Sequence, residues 1–401
     1  MKKLQSATKA LRSARKQDQG RGTLGVKHTG AFLNALFGRD MHAARVESLA
    51  NGVVGVLTAA VVSIHAIGQA YAMVAGIKAK SGVKQIDRLL SNRGVNVAEI
   101  QREWVKFVIG VRKQVVVALD WTEFDADDHA TLCAYLITNH GRATPLVWQT
   151  TEKSQLAGHR TDIEHAMIKQ LHDWLEPTID VELLADRGFG DQGLYELLKL
   201  YGWDFVIRFR GNILVESAAG EVRPARGWLW PTGRARMLKG VKVTADRTAV
   251  AAVVVVHAKG MKEPWCLVTS RTDTTAAQVV KRYGRRFTIE ETFRDTKDLH
   301  FGMGLKATHI RNADRRDRLL LLVALAHALL TLLGAASEAS GLDATLKVNT
   351  VKRRTHSLYR QGCYWYAALP NMREDWLRRL MTAFDAVVRE HAVFRKVFGV
   401  L

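Results

Sequence analysis

The chain has 401 residues, with 59 Lys+Arg against 39 Asp+Glu and a formal net charge of +20. That length can bury a sizeable core without staples, and 47% hydrophobic residues with only 6 prolines exclude a disordered polycation. Cys133, Cys266 and Cys363 form no Cys-x-x-Cys pair, which argues against a disulfide framework or structural zinc and fits a reducing cytoplasm; the charge favours nucleic acid over an anionic membrane as partner.

Residues 1–27 read as a solvated basic arm bearing Lys2, Lys3, Lys9, Arg12, Arg15 and Lys16, without the apolar run of a secretory signal. Residues 28–110 carry apolar side chains at helical spacing, with Lys78, Lys80, Lys84, Arg88 and Arg93 at the breaks. They are expected to form a helical DNA-binding domain, with a helical oligomerisation module as the alternative. Leu49 to Ile77 and Leu319 to Ala336 are apolar enough to be mistaken for membrane spans, but Asn51, His65, Gln69 and His327 favour buried helices.

At Gln114 the pattern changes to β-branched runs. Val115 to Leu119 reads as a buried strand closing on Asp120, and Thr131 to Thr138 with Ala143 to Thr150 as a hairpin about Asn139, His140 and Gly141. A helix from about Asp162 to Leu175 leads to a strand, Val181 to Ala185, that stops at Asp186. Leu194 to Leu200 (helix) and Phe205 to Arg210 (strand) follow. The expected fold is α/β, a mixed sheet with flanking helices formed by 111–210 and 271–335. Residues 211–270, strand-rich through Val250 to His257 and Trp265 to Thr269, read as an inserted β subdomain, and 336–401 as a helical C-terminal region with a basic amphipathic stretch from Trp376 to Val397. A long helix is expected from Thr274, opened by a Thr275/Gln278 capping box.

Two strands that end in Asp bring carboxylates to one sheet edge, the arrangement that phosphodiester chemistry with two divalent metals requires. A third acid must come from an element lying across that edge. On the expected long helix Tyr283, Arg286, Glu290 and Lys297 fall, at about 100° per residue, within an arc of roughly 60°, so an acid shares one face with phosphate-binding groups. The competing reading of this face is a solvated stripe with an Arg286–Glu290 ion pair. Glu291 lies off the stripe, Asp191 is a rival to Asp186, and Asp125, Asp127 and Asp128 read as loop residues.

The segment Tyr283-x2-Arg286-x3-Glu290-x6-Lys297 resembles the YREK signature of bacterial insertion-sequence DDE transposases of the IS-four family, the group of the Tn-five transposase. Asp120 in ALDWT and Asp186 in LADRGFG match that family's first two acids. The resemblance implies a ribonuclease H-like core in which Asp120, Asp186 and Glu290 hold two Mg²⁺ ions, with Mn²⁺ able to substitute. It further implies cut-and-paste transposition through a DNA hairpin, double-stranded DNA partners (terminal inverted repeats and target), and a homodimer in the DNA complex acting at the bacterial nucleoid. Tyr283, Arg286 and Lys297 would grip phosphates, Trp265 would stack on a flipped base with Phe287 assisting, and Arg208 is a further candidate contact.

Gly188-x-Gly190-x-x-Gly193 matches a dinucleotide fingerprint, but Asp186 beside it would repel pyrophosphate and the next strand ends in Arg208 and Arg210 instead of an acid. The remaining rivals are a nuclease of the same fold that cuts without joining, and a non-enzymatic basic DNA-binding protein.

Overall fold

A computed structural model describes residues 24–300 and 302–389. The basic arm before Leu24 and the last part of the amphipathic stretch expected to reach Val397 lie outside the described residues. The described residues divide into two compact units, Val111–Phe293 forming one, and residues 24–110 with 294–389 forming the other.

The first unit is built on a ten-stranded mixed sheet in the order β3-β2-β1-β4-β5-β10-β9-β8-β6-β7. β1 (Gln114–Phe124), β2 (His129–Leu136) and β3 (Thr144–Glu152) form an antiparallel meander, while β4 (Asp180–Ala185) and β5 (Asp204–Phe209) run parallel to β1. Val115, Val116, Val117, Ala118 and Leu119 are all buried, the continuous apolar run expected of a strand covered on both faces. Between β3 and β4 the chain forms a helix, Arg160–Trp174, and between β4 and β5 another, Gln192–Leu200, the crossover that a parallel pair needs. This half of the sheet is consistent with the expected ribonuclease H-like core.

Residues 211–270, expected as an inserted β subdomain, form no sheet of their own. β10 (Trp265–Thr269) pairs with β5, and β9 (Thr248–Val256), β8 (Arg236–Val243), β6 (Leu214–Glu216) and β7 (Val222–Pro224) continue the same sheet outward. β5 would otherwise expose a row of unpaired N–H and C=O groups, and β10 covers that edge.

The expected long helix is broken. The Thr275/Gln278 capping box is present, with Gln278 N to Thr275 Oγ1 at 3.3 Å and Thr275 N to Gln278 Oε1 at 2.9 Å. The helix it opens ends at Gly284, a 3-10 turn covers Arg285–Phe287, and a second helix runs over Thr288–Lys297. Glycine is a poor helix former, and the tighter turn carries Arg286 to a site where it is only 5% exposed.

In the other unit, among the described residues, five helices precede the sheet: α1 (Val26–Phe37), α2 (Ala43–Ala59), α3 (Ile64–Ala75), α4 (Ala79–Ser91) and α5 (Val97–Ile109). In chain order the helices Arg160–Trp174, Gln192–Leu200, Ala276–Gly284 and Thr288–Lys297 are α6, α7, α8 and α9, and α10 (Ala313–Ala339), α11 (Leu358–Ala368) and α12 (Glu374–Arg389) complete the set. Residues 294–335, expected in the catalytic core, thus group with the N-terminal helices. The reason is α10, buried along most of its length, whose Arg318 donates to the carbonyl of Leu90 in the last turn of α4 and to that of Val95 just beyond it (both 3.1 Å). α10 is long and apolar enough to cross a membrane, and its apolar window is 94% buried. The other apolar stretch, Leu49 to Ile77, bends by 100° between α2 and α3.

Candidate active site

β1 does not close on Asp120 but continues to Phe124, because β2 keeps pairing with it as far as Phe124 and His129. What ends there is the parallel ladder with β4, whose last pair is Leu119 with Ala185. Asp120 and Asp186 are each the next residue. Two carboxylates therefore leave the same end of neighbouring strands, their backbones about 5 Å apart.

Asp186 opens a 3-10 turn, Arg187–Phe189, and accepts the backbone N–H of Gly188 at 2.8 Å. Asp191 caps α7 by accepting from Gly193 N and Leu194 N, both at 3.1 Å, and lies 3.0 Å from His165 Nε2. The donors that a pyrophosphate would take at this helix N-terminus are thus already bound to a carboxylate. The glycine spacing serves a turn.

Glu290 lies in the first turn of α9 and is linked to Asp120 by Arg286. The guanidinium donates from Nη1 to Asp120 Oδ2 at 3.0 Å and from Nη2 to Glu290 Oε1 at 2.8 Å. The i,i+4 ion pair foreseen as an alternative is therefore present, and it extends to the first acid. Burial pushes the Asp120 carboxyl up to about 6; Arg286 pulls against it, while Asp186 and Glu290 push it further. All three acids act on one electrostatic neighbourhood. For Arg286, burial works to lower the pKa, but Tyr283, Asp120, Glu290 and Asp186 outweigh it and hold the group charged. Its Nε, also buried, has no hydrogen-bond partner.

Tyr283 is 1% exposed and its hydroxyl is raised by burial, so it and Arg286 do not lie on the open arc that an unbroken helix would present. Lys297 ends α9 in the other unit; it keeps its two-turn spacing from Glu290 on that helix, whereas the 3-10 turn interrupts the periodicity that aligned both with Tyr283. Glu291 stands 3.9 Å from Arg142.

Trp265, at the start of β10, is half-buried and stacks with Phe287 (centroids 5.7 Å apart, planes at 27°) and meets Tyr283 edge-on at 5.0 Å. Arg286 lies 5.1 Å over the Phe287 ring, so these aromatics adjoin the linked acids. Arg208, on β5, pairs with Glu263 at 2.9 Å and donates to the Pro264 carbonyl at 3.3 Å; Glu263 also holds Arg187, at 3.3 Å.

Sequence reading missed Glu164. It is 3% exposed, accepts the indole N–H of Trp121 at 2.6 Å, and takes Arg160 Nε at 3.4 Å, with the Arg160 guanidinium 4.9 Å over the Trp121 ring. No local signal marks such a residue, because its partner is 43 positions away.

Divalent cations favour hard oxygen donors, and three carboxylates, two of which already raise the third, fit that chemistry. Among the described residues, however, no three Asp, Glu, His or Cys side chains are gathered closely enough to hold one ion, and Arg286 stands between two of the acids.

Comparison with curated proteins gives no match. Among solved structures, the chain is similar to Marinitoga piezophila Argonaute in complex with 5′ OH guide RNA, at 11% identity and a TM-score of 0.22 over 53% of this chain and 31% of that one. A likeness of that size supports no inference. The transposase DDE domain family matches residues 112–329, a span that contains Asp120, Asp186, Glu290 and the whole ten-stranded sheet. Because that match covers more than half of its length, the chain belongs to the transposase DDE domain family.

Proposed function

We propose that this chain is the transposase of a bacterial insertion sequence of the IS-four group, with Tyr283, Arg286, Glu290 and Lys297 as its YREK residues. In this reading it cuts each end of its element from flanking DNA through a DNA hairpin and joins the ends to target DNA. Transposase DDE domains use divalent metal ions. Asp120, Asp186 and Glu290 would hold two Mg²⁺ ions, or Mn²⁺ in their place; when bound, these activate the attacking oxygen and stabilise the leaving one. The observation that carries the reading is the level placement of Asp120 and Asp186 on adjacent strands, with Arg286 joining Asp120 to Glu290.

The chain's other residues have distinct roles. Arg286, charged and bound to two carboxylates, can exchange one of them for a phosphate oxygen, the bidentate acceptor that suits a guanidinium equally well. Tyr283 and Lys297 add phosphate contacts, Trp265 and Phe287 offer a stacking surface for a flipped base, and Arg208 joins them once released from Glu263. The N-terminal helices bind the terminal repeats. Support for that comes from α3 and α4, joined through Gly76, Ile77 and Lys78 with Gly76 at φ +68°, and from the exposed Lys78, Lys80, Lys84 and Arg88 in and beside α4. Two protomers bring two ends together, in the cytoplasm at the nucleoid.

The test is Mg²⁺-dependent nicking of DNA carrying the element's terminal repeats. Asp120→Asn, Asp186→Asn and Glu290→Gln are each expected to abolish it, and cleavage retained in any of them would overturn the assignment. A strand-transfer assay distinguishes the transposase from a nuclease of the same fold, which would cut and leave the ends unjoined.

A further inference from the structure

Residues 222–245 contain six Lys and Arg side chains and no acid. Within this stretch, between β7 and β8, two tryptophans stand between one pair of arginines, Arg223 and Arg226, and another, Arg234 and Arg236. Trp228 is 3% exposed and lies under both Arg223 and Arg236, at 5.2 and 5.3 Å. Trp230 is 48% exposed, and the Arg236 guanidinium lies 4.7 Å from its ring. Arg226 and Arg234 are exposed, and neither guanidinium pairs with a carboxylate among the described residues.

The segment is fixed in place before any ligand arrives. Gly233 N donates to Trp230 O at 2.9 Å, closing a turn in which Gly233 has φ +70°, and His257 N donates to Gly233 O at 3.2 Å. Ala225 N and Arg226 N donate to Ile213 O and Gly211 O at 2.8 and 3.0 Å, and Arg236 donates to the Trp228 carbonyl at 3.2 Å. An exposed indole held this firmly would lose little entropy on binding.

The strand register gives its position. Arg236 pairs with Val255, Val255 with Cys266, and Cys266 with Phe209. Phe209 is two residues past Ile207, the partner of Ala185, and so sits one residue beyond the level of Asp186. The Trp230 turn therefore lies at the same end of the sheet as Asp120 and Asp186, five strand spacings or about 24 Å from β1.

We propose that Trp230, with Arg226 and Arg234, is a second nucleic-acid site of this unit, one that takes an unpaired stretch of DNA strand. The base stacks on the indole opposite Arg236, and the flanking phosphates meet the two free guanidinium groups. Stacking selects a single strand because only an unpaired base presents its ring face, whereas a duplex would engage the arginines alone. The inference deepens the transposase reading, for which a strand opened beside the acids is an expected substrate.

The experiment uses the full chain in EDTA and a labelled 20-nucleotide oligo-dT beside a 20-base-pair duplex, each titrated over a range of salt. Trp230→Ala is expected to weaken oligo-dT binding by about 5- to 160-fold, the range for loss of one stacked base, and to leave duplex binding unchanged. Trp230→Phe should retain most of the affinity. The pair Arg226→Ala and Arg234→Ala should lower the salt slope for oligo-dT by about 1.4. Unchanged oligo-dT binding by Trp230→Ala, equal losses for single strand and duplex, or tighter binding of the matching RNA would each overturn the proposal. Because binding is read without metal, it stands or falls separately from the nicking test of the three acids.

Discussion

Glu164 accepts the indole N–H of Trp121 at 2.6 Å, and Trp121 directly follows Asp120 in the chain. The next residue of α6, His165, lies 3.0 Å from Asp191, five residues beyond Asp186. Neighbouring side chains of one helix thus hold the segments that follow both strand acids, which fixes the acids' backbone without touching their carboxylates.

Replacing Glu164 by Leu removes the acceptor and leaves the N–H of a half-buried indole unpaired. We expect kcat for nicking to fall by about tenfold, the scale of a small misplacement of reacting groups, with KM for DNA unchanged. Glu164→Gln can still accept the indole and should retain most activity. Steady-state kinetics on the terminal-repeat substrate decide this, and a rise in KM at constant kcat would count against a positioning role.

The raised Asp120 carboxyl makes a prediction about stability and pH. At about 6 when folded and 3.8 ordinarily, it holds a proton in the native state over a window where the unfolded chain has released it. Stability contributed there is lost as pH rises, by up to about 3 kcal/mol above the folded value. Asp120→Asn should therefore unfold at higher urea than the parent at pH 8, with the gain shrinking toward pH 4. Equal gains at both ends would show that the charge is not the cause.

Glu263 neutralises both Arg187 and Arg208, and those arginines hold its carboxyl below the usual range. Glu263→Ala should therefore tighten duplex DNA binding at low salt and steepen its salt dependence, since two cations become available to phosphates. A filter-binding titration from 50 to about 200 mM salt reads the slope; a slope equal to the parent's would mean that neither arginine reaches DNA.

Gly334 of α10 and Gly362 of α11 each meet the other helix's backbone, Gly334 facing the Leu358 carbonyl and Gly362 the Leu330 carbonyl, with no room for a Cβ. Gly334→Ala should destabilise the chain by about 2 kcal/mol or more, as overpacking does. Gly30, inside α1 with open space around it, offers the contrast: Gly30→Ala should stabilise by up to about 1 kcal/mol. Urea unfolding of the two variants tests both signs.

Much of the candidate site was legible because its signals are local. The valine run before Asp120, the turn-rich break after Asp186 and the capping box at Thr275 each depend on neighbours within a few residues. What was misjudged depends on distant pairing. β1 outruns Asp120 because β2 stays beside it, strands 211–270 join the central sheet because β5 needs an edge partner, and Arg286 turns inward because a carboxylate 166 positions away receives it.

The amino-acid sequence by itself determined which residues carry charge and where strands and helices begin, since propensity, capping and burial pattern act over one or two turns of chain. Only the tertiary structure decided that Asp120 and Asp186 stand level, that one guanidinium binds two acids, and that Trp230 shares their end of the sheet. Those facts come from strand register and from the burial of charge, and both exist only once remote segments have been brought together.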